Sequence, residues 1–322
     1  MKAITRDRYG SPDVLRFEDL TPPAPAAGEI LVEVGAAGVN RGDALELRGW
    51  PYLARLMGYG ARRPKHAVIG TDIAGRVVAV GRDVDAIAEG DEVVGWGTGA
   101  FAELAVMRAM AAVRRPAGLD TVPAAAVPTT AVTALQAVRD AGRVQPGQHV
   151  LVIGASGGVG TFAVQLAAHF GATVTGVAGA SRAALVRSLG ATHVVDYRTE
   201  DVTTHLGRYD VIVDAVGNHP LGALRRVLTA HGTLVVVGGQ NPNSLTGMRR
   251  FAGAALRSPF TRRRLVPLFS KPNAPDLHTV LALIGSGAVR PVVAATYALP
   301  DTAAALQRIE DGHAAGKLVI AV

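Results

Sequence analysis

Gly154-Ala155-Ser156-Gly157-Gly158 lies between the apolar run "LVI" and the helix-like "VGTFAVQLAAHFG", and it fits two chemistries at once. Read as G-x-S-x-G, it is a hydrolase elbow that exposes Ser156 on a sharp strand-to-helix turn for activation by a histidine. Read from Ala155 to Gly160, it is A-x-G-x-x-G, one residue short of the G-x-G-x-x-G fingerprint. The backbone of Ser156, Gly157, Gly158 and Val159 would then cradle a dinucleotide pyrophosphate. Gly157 lets the main chain approach the phosphates, and Gly160 lets the helix lie close on its strand. The helix N-terminus supplies N–H groups and a partial positive charge. Both readings require strand, turn and helix, so local structure does not separate them.

The rest of the chain does. An elbow needs an oxyanion loop upstream and an acid and a histidine downstream. Asp214 with His231 or His313 satisfies the chain order, but nine histidines make such matches cheap. No H-G-G-G-like segment precedes the turn, and the α/β pattern begins at the turn rather than before it. The dinucleotide seat fits better. An NAD site places Asp or Glu at the end of the second strand, about 20 residues beyond the glycines, for the ribose 2′-OH. Here that strand, "TVTGVA", runs into Ala180-Ser181-Arg182, and no acid stands between Gly160 and Asp196. Ser181 and Arg182 suit a 2′-phosphate, one as hydrogen-bond donor and the other as charge, so the expected cofactor is NADPH/NADP⁺.

The elements that must position these residues follow from periodicity. From about residue 119, "AAAVPTTAVTALQAVRDAG" reads as a helix closed by Gly142, and "QHVLVIG" as a buried strand. Short apolar runs then alternate with amphipathic helices through "TLVVVGG", the signature of an α/β Rossmann fold, a doubly wound parallel sheet. Residues 1–118 read instead as short strands with turns. "GEILVEVGAAGVN" and "TDIAGRVVAVGRDVD" alternate like antiparallel strands, and "AEGDEVVGWGTGAFAELAVM" reads as a strand pair. Pro300 and Asp301 open a last helix that Gly316 ends. The final strand "KLVIAV" is expected to rejoin the N-terminal sheet. The predicted division is therefore 1–118 with 288–322, and 119–287.

Composition bounds the class. A chain of 322 residues, 49% hydrophobic and 18% charged, reads as globular with room for two domains. The absence of cysteine excludes disulfides, thiolate zinc sites, iron–sulfur clusters and cysteine nucleophiles. "MKAITRDRYG" has no apolar leader, so a cytoplasmic protein is expected. The net charge of +7 is uneven: residues 248–271 carry seven arginines and lysines and no acid. A solvated arginine face explains this run. Contact with anionic lipid is the alternative, motivated by the interleaved Phe251, Phe260 and Leu265, and it would make the chain a cofactor-binding adaptor. No zinc-finger spacing, RNP-like motif or heptad array points to nucleic acid.

In order and spacing, "GVNRGDALELRG", "IGTDIAGRVVAVGRDVDAIAEGDEVVG", "VTALQAV", "GASGGVGTFAVQLAAHFGA" and "GHAAGKLVIAV" resemble the medium-chain dehydrogenase/reductase superfamily over essentially the whole chain. The resemblance implies a GroES-like β-rich catalytic domain, formed by the N-terminal part and the C-terminal return, beside the Rossmann domain. The alcohol-dehydrogenase branch has Gly-His-Glu where this chain has Gly70-Thr71-Asp72, and His66 has no second imidazole at a ligand spacing. The resemblance therefore points to the zinc-independent quinone-oxidoreductase-like branch, reducing quinones or α,β-unsaturated carbonyls with NADPH, commonly as a homodimer. A zinc-free reductase of simple carbonyls is the alternative.

Carried over by the resemblance, Asn40 and Asp43 sit at the floor of the cleft, near nicotinamide and substrate. Thr133 lies near the nicotinamide, and Tyr197 at the adenosine 2′-phosphate. Gly217, Asn218, Gly238 and Gly239 border the cofactor. Lys317, the closing "GK" lysine, is a further cofactor-binding candidate, with a helix cap as its other reading. Tyr52 is the candidate donor to the substrate oxygen, with Tyr59 as its rival, and His66 reads as a surface or packing residue.

The Arg182 assignment makes a kinetic prediction. A charge-assisted contact of about 1.5–3 kcal/mol corresponds to roughly ten- to hundred-fold in affinity. Arg182→Ala should raise the KM for NADPH by about that factor and leave the KM for NADH nearly unchanged. Steady-state kinetics with both cofactors checks it.

Overall fold

Apolar alternation in the N-terminal part resolves into β1 (Lys2–Thr5), β2 (Arg16–Asp19), β3 (Glu29–Val39), β4 (Asp72–Val80), β5 (Glu92–Thr98) and β6 (Leu104–Arg114) in a computed structural model of the chain. The structure describes residues 1–205, 208–238, 248–258, 261–312 and 314–322. β1 and β2 pair as a hairpin. Strands β3 to β6 are antiparallel in sequence order, and β6 also pairs back on β3, Glu29 opposite Arg108 through Glu33 opposite Leu104. The sheet thereby closes on itself around Ile30, Val32, Ile73, Val93, Phe101 and Met107, all buried. Helices α1 (Arg41–Arg48) and α2 (Tyr52–Ala54) lie between β3 and β4, and α3 (Thr121–Ala125) and α4 (Pro128–Leu135) follow β6.

The middle of the chain forms the predicted parallel sheet. Its strands are β7 (His149–Ile153), β8 (Thr173–Ala178), β9 (His193–Asp196), β10 (Tyr209–Asp214), β11 (Leu228–Val236) and β12 (Arg264–Pro267), in the order β12-β11-β10-β7-β8-β9, every pairing parallel. That is the Rossmann strand order. Its direction reverses between β7 and β10, where such sheets bind ligands at their strand C-termini. Helices α5 (Gly158–His169), α6 (Ala183–Ser188), α7 (Leu221–Val227) and α8 (Arg249–Arg257) accompany it. Leu151, Ile153, Ile212, Leu224 and Leu234 are in its buried core.

After α9 (Ala274–Gly285) come β13 (Val293–Ala298), α10 (Thr302–Glu310) and β14 (Lys317–Ala321). β14 pairs antiparallel with β3, Leu318 opposite Val39, and parallel with β13. The last strand thus rejoins the N-terminal sheet, as its sequence position suggested. One compact unit comprises Met1–Thr129, Pro272–Gly287 and Pro291–Val322; the other comprises Thr130–Lys271 and Ala288–Arg290. The division differs from the boundaries read in the sequence at 119–129, 272–287 and 288–290. For 272–287 the reason is packing: α9 buries Leu277, Val280 and Leu281 and lies against β6, a contact that no local pattern in the sequence signals.

Three local readings are corrected. Gly142 does not supply the left-handed turn after α4; a π-helical continuation, Gln136–Gly142, ends on Arg143 at φ 55°. The amphipathic helix expected before "TLVVVGG" stops at Val227, because from Leu228 the chain pairs with β10. Gly316 does not end α10, which stops at Glu310; its φ of 108° turns the chain into β14 instead. Among the described residues no helix is long and apolar enough to cross a membrane.

Gly160 behaves as the fingerprint requires. A Cβ there would lie 1.9 Å from the Gly154 carbonyl oxygen, main chain that cannot move aside cheaply. Gly160→Ala should therefore lower stability by about 1–3 kcal/mol, the usual cost of overpacking, read as a lower urea midpoint.

Candidate active site and dinucleotide seat

Each unit carries one constellation of functional residues. In the α/β unit, β7 ends at Ile153 and the chain turns at Gly154, φ 81°. The helix α5 then starts with Gly157 as its N-cap, and no side chain caps it. Its first-turn N–H groups are thus left to a ligand or to water. A Cβ on Gly157 would meet nothing nearer than the Gly154 oxygen at 3.4 Å, so the space before the helix is open, whereas Gly160 behind it is tightly packed. Ser156, Gly157, Gly158 and Val159 are all partly exposed along this turn. These residues fit a pyrophosphate.

The neighbouring loops carry the other cofactor candidates. Ser181 and Arg182 lie in the exposed turn Ala180–Arg182 directly after β8. The half-exposed Tyr197 ring stands 3.6 Å from where a Cβ of Gly179 would be. A cavity of about 300 Å³ joins Tyr197 to Asn218, lined also by Val177, Thr199, Asp201 and His219. Gly217, at φ 81°, belongs to the turn after β10. Gly238 donates its N–H to the Asp214 carbonyl at 3.0 Å, and a Cβ on it would clash with Ala215 O at 2.2 Å. Thr133 is buried in α4. Gly239 lies outside the described residues, as do His313 and Phe260.

The turn after β10 is held by a carboxylate. Asp214 is fully buried and accepts the N–H groups of Val216 at 3.2 Å and Gly217 at 2.8 Å, and it pairs with Arg250 of α8. Arg250 also donates to the His219 carbonyl at 2.6 Å. This removes Asp214 from the hydrolase reading, since its oxygens are already engaged, and His231 is exposed on β11. It also gives Arg250, and through it α8, a task in the fold. Two of the three apolar residues that motivated the adaptor reading, Phe251 and Leu265, are 4% and 2% exposed, core residues rather than membrane contacts.

In the β-rich unit, Asn40 is the N-cap of α1 and Asp43 its N3 residue, forming a capping box in which the Asp43 carboxylate accepts the Asn40 N–H at 2.7 Å. Burial pushes the Asp43 carboxyl up to about 7; the Asn40 N–H opposes this, the Asp72 charge adds to it and the Lys317 ammonium opposes it. Asp72 opens β4 and is fully buried. It accepts Lys317 Nζ at 2.9 Å and the Thr129 hydroxyl at 2.5 Å, and Thr129 in turn accepts the Trp96 indole N–H at 3.1 Å. Lys317 also donates to Asn40 Oδ1. Lys317 is therefore no helix cap: it opens β14, 3% exposed, inside a polar network.

Tyr52 stands apart from that network. It is 47% exposed, edge-on to Trp50 at 6.2 Å and under the Arg55 guanidinium at 5.0 Å. Burial raises the Tyr59 phenol, with the Glu46 and Asp43 charges adding to it. His66 is exposed. The sequence reading missed Asp72, Thr129 and Trp96 as a unit. Asp72 was visible only as the residue replacing Glu in Gly-His-Glu.

Two sheets of these topologies, one with a glycine-lined helix N-terminus at its switch point and one with a buried polar cluster, define a pyridine-nucleotide oxidoreductase of the Rossmann plus GroES-like type. Family models described as "Alcohol dehydrogenase GroES-like domain" and "Zinc-binding dehydrogenase" match residues 26–117 and 189–320. The chain is 31% identical to the chloroplast envelope quinone oxidoreductase homolog of Arabidopsis thaliana, over 99% of this chain and 98% of that protein. The solved quinone oxidoreductase of Coxiella burnetii superposes with a TM-score of 0.89 at 28% identity, covering 100% and 99% of the two chains. That of Escherichia coli, complexed with NADPH, gives 0.83 at 26%, covering both chains fully. The chain belongs to the medium-chain dehydrogenase/reductase superfamily, in its zinc-independent quinone-oxidoreductase-like branch. Its residues do not fit a zinc ion: there is no cysteine, Asp72 is already neutralised by Lys317, and no group of three His, Asp or Glu suited to a metal occurs among the described residues.

The raised Asp43 carboxyl gives a pH prediction. Between its ordinary value near 3.8 and about 7 the unfolded chain releases this proton while the folded chain keeps it. Its contribution to stability is therefore full below about 4 and is lost as pH rises towards 7. Asp43→Asn, which keeps the capping oxygen, should flatten that part of the Tm-versus-pH curve.

Proposed function

We propose that the chain catalyses NADPH-dependent reduction of a quinone or an α,β-unsaturated carbonyl without zinc. The observation that carries this reading is the uncapped N-terminus of α5 behind the open Gly157, with Ser181 and Arg182 exposed after the neighbouring strand. Bound NADPH supplies a hydride and its electron pair from nicotinamide C4. The α5 amides hold the pyrophosphate, Ser181, Arg182 and Tyr197 receive the 2′-phosphate end, and Gly217, Asn218 and Gly238 border the rest. In the other unit, Asn40 offers the acceptor a neutral donor.

The choice of acceptor follows from what this chain lacks. A zinc ion would act as a Lewis acid on a simple carbonyl. With Asp72 paired to an ammonium, no cysteine in the chain and no metal-ligating cluster among the described residues, the chain has neutral donors to offer, and these suffice where the acceptor spreads the incoming charge itself. Hydride adds to the β-carbon of the conjugated system, the π pair moves to the carbonyl oxygen, and a proton from Tyr52 or water restores a saturated carbonyl. For a quinone the product is the hydroquinone. A homodimer is the assembly drawn from the resemblance.

The purified protein should oxidise NADPH with a naphthoquinone or an enone, at a rate indifferent to chelators. An alkenal should be turned over faster than its saturated analogue. Failure to bind NADPH in a fluorescence titration would sink the reading, and equal rates for alkenal and aldehyde would favour the simple-carbonyl alternative.

A further inference from the structure

Lys317 is a buried cation of the β-rich unit, and the mechanism above leaves it unused. Its stem runs over Gly38 of β3: a Cβ on Gly38 would lie 2.9 Å from Lys317 Cε and 2.2 Å from the Ala125 carbonyl oxygen. The glycine is what gives the lysine its passage. At the end of that passage Nζ meets Asp72 Oδ2 at 2.9 Å and the side chain of Asn40.

An ammonium has three donors and no acceptor, so the Asn40 atom facing it is Oδ1. That contact decides the orientation of the amide, which in isolation could equally be flipped. Nδ2 is left on the other side, where its contact in the structure is to Gly38 O at 3.4 Å, long for a hydrogen bond. Asp72 cannot swing to release the lysine, because Thr129 holds its second oxygen at 2.5 Å and Trp96 holds Thr129 at 3.1 Å.

We propose that Lys317, neutralised by Asp72, is a positioning residue that fixes the Asn40 carboxamide with Nδ2 as its outward donor, so that an N–H meets the negative charge developing on the acceptor oxygen. The inference rests on the functional reading above and deepens it. It assigns Lys317 to the acceptor's side of the reaction, and it makes the acceptor an electron-pair acceptor whose oxygen must take a hydrogen bond. The network runs Trp96 to Thr129 to Asp72, and Lys317 to both Asp72 and Asn40. It ties β5, the first turn of α4, β4, β14 and the N-cap of α1 to one amide.

The test compares wild type with Lys317→Met, Lys317→Arg and Lys317→Met/Asp72→Asn. The double variant removes both charges, so it folds without a lone buried carboxylate. NADPH binding is followed by fluorescence, and turnover with a naphthoquinone and with an enone. Loss of the lock should lower kcat by about tenfold or more, the worth of one charge-assisted hydrogen bond. The Kd for NADPH should stay within about twofold, and Lys317→Arg should recover part of kcat. A folded double variant with kcat within about twofold of wild type overturns the proposal and leaves the functional reading standing. A wild-type protein that binds NADPH but reduces neither acceptor overturns the functional reading, and the proposal with it.

Discussion

A lysine whose ammonium is shut away from water has to be neutralised where it sits, and in this chain the neutralising carboxylate comes from 245 residues away, Asp72 to Lys317. Taking either charge out alone would leave the other buried and uncompensated, typically a loss of about 3–5 kcal/mol. The pair therefore does more than decorate the end of a strand. It fixes which residue of β14 enters the sheet beside β3, it holds the first turn of α4 through Thr129, and it reaches the N-cap of α1 through Asn40. Gly38 is part of the same arrangement, because any larger residue would obstruct the lysine stem.

The α/β unit uses the same device with other residues. Asp214 closes β10 as Asp72 opens β4, both with no exposed surface. One is neutralised by Lys317, the other by Arg250. In both cases the carboxylate's remaining capacity is spent on main-chain or hydroxyl donors of the adjoining segment, Thr129 in one unit and the Val216–Gly217 turn in the other. A buried acid at a strand terminus thus shapes the loop at the functional end of each sheet. The turn before α5, proposed to seat the pyrophosphate, offers main-chain amides and the room that Gly157 leaves rather than charged side chains.

How much of this was legible in the sequence depended on range. Local patterns carried far: the glycine turn, the parallel strands with their helices and the returning last strand all follow from periodicity and turn chemistry, because those signals lie within a few residues of what they specify. Helix ends were less legible. Arg143 in a left-handed conformation and the switch from α7 to β11 at Leu228 are set by neighbouring strands, which propensity does not see. The acid–cation pairs were not legible at all. Asp72 stood out only as the residue in place of Glu in Gly-His-Glu and Lys317 only as the closing "GK" lysine, and it is the β14–β3–β4 pairing that brings them together. Phe251 and Leu265 failed in the opposite direction, since an apolar residue amid arginines looks the same whether it faces lipid or a core.

The place of β14 in the chain has a consequence for biosynthesis. The sheet built from residues 29 to 114 lacks β14 as a partner, and Asp72 lacks its counter-charge, until residues 317–321 have emerged from the ribosome. The inserted α/β unit, whose six strands all lie between residues 149 and 267, has everything it needs well before that. Nascent chains settle domain by domain as they emerge. Here strands made before the α/β unit are completed only after it, with a strand edge open to chaperones and to aggregation throughout the interval.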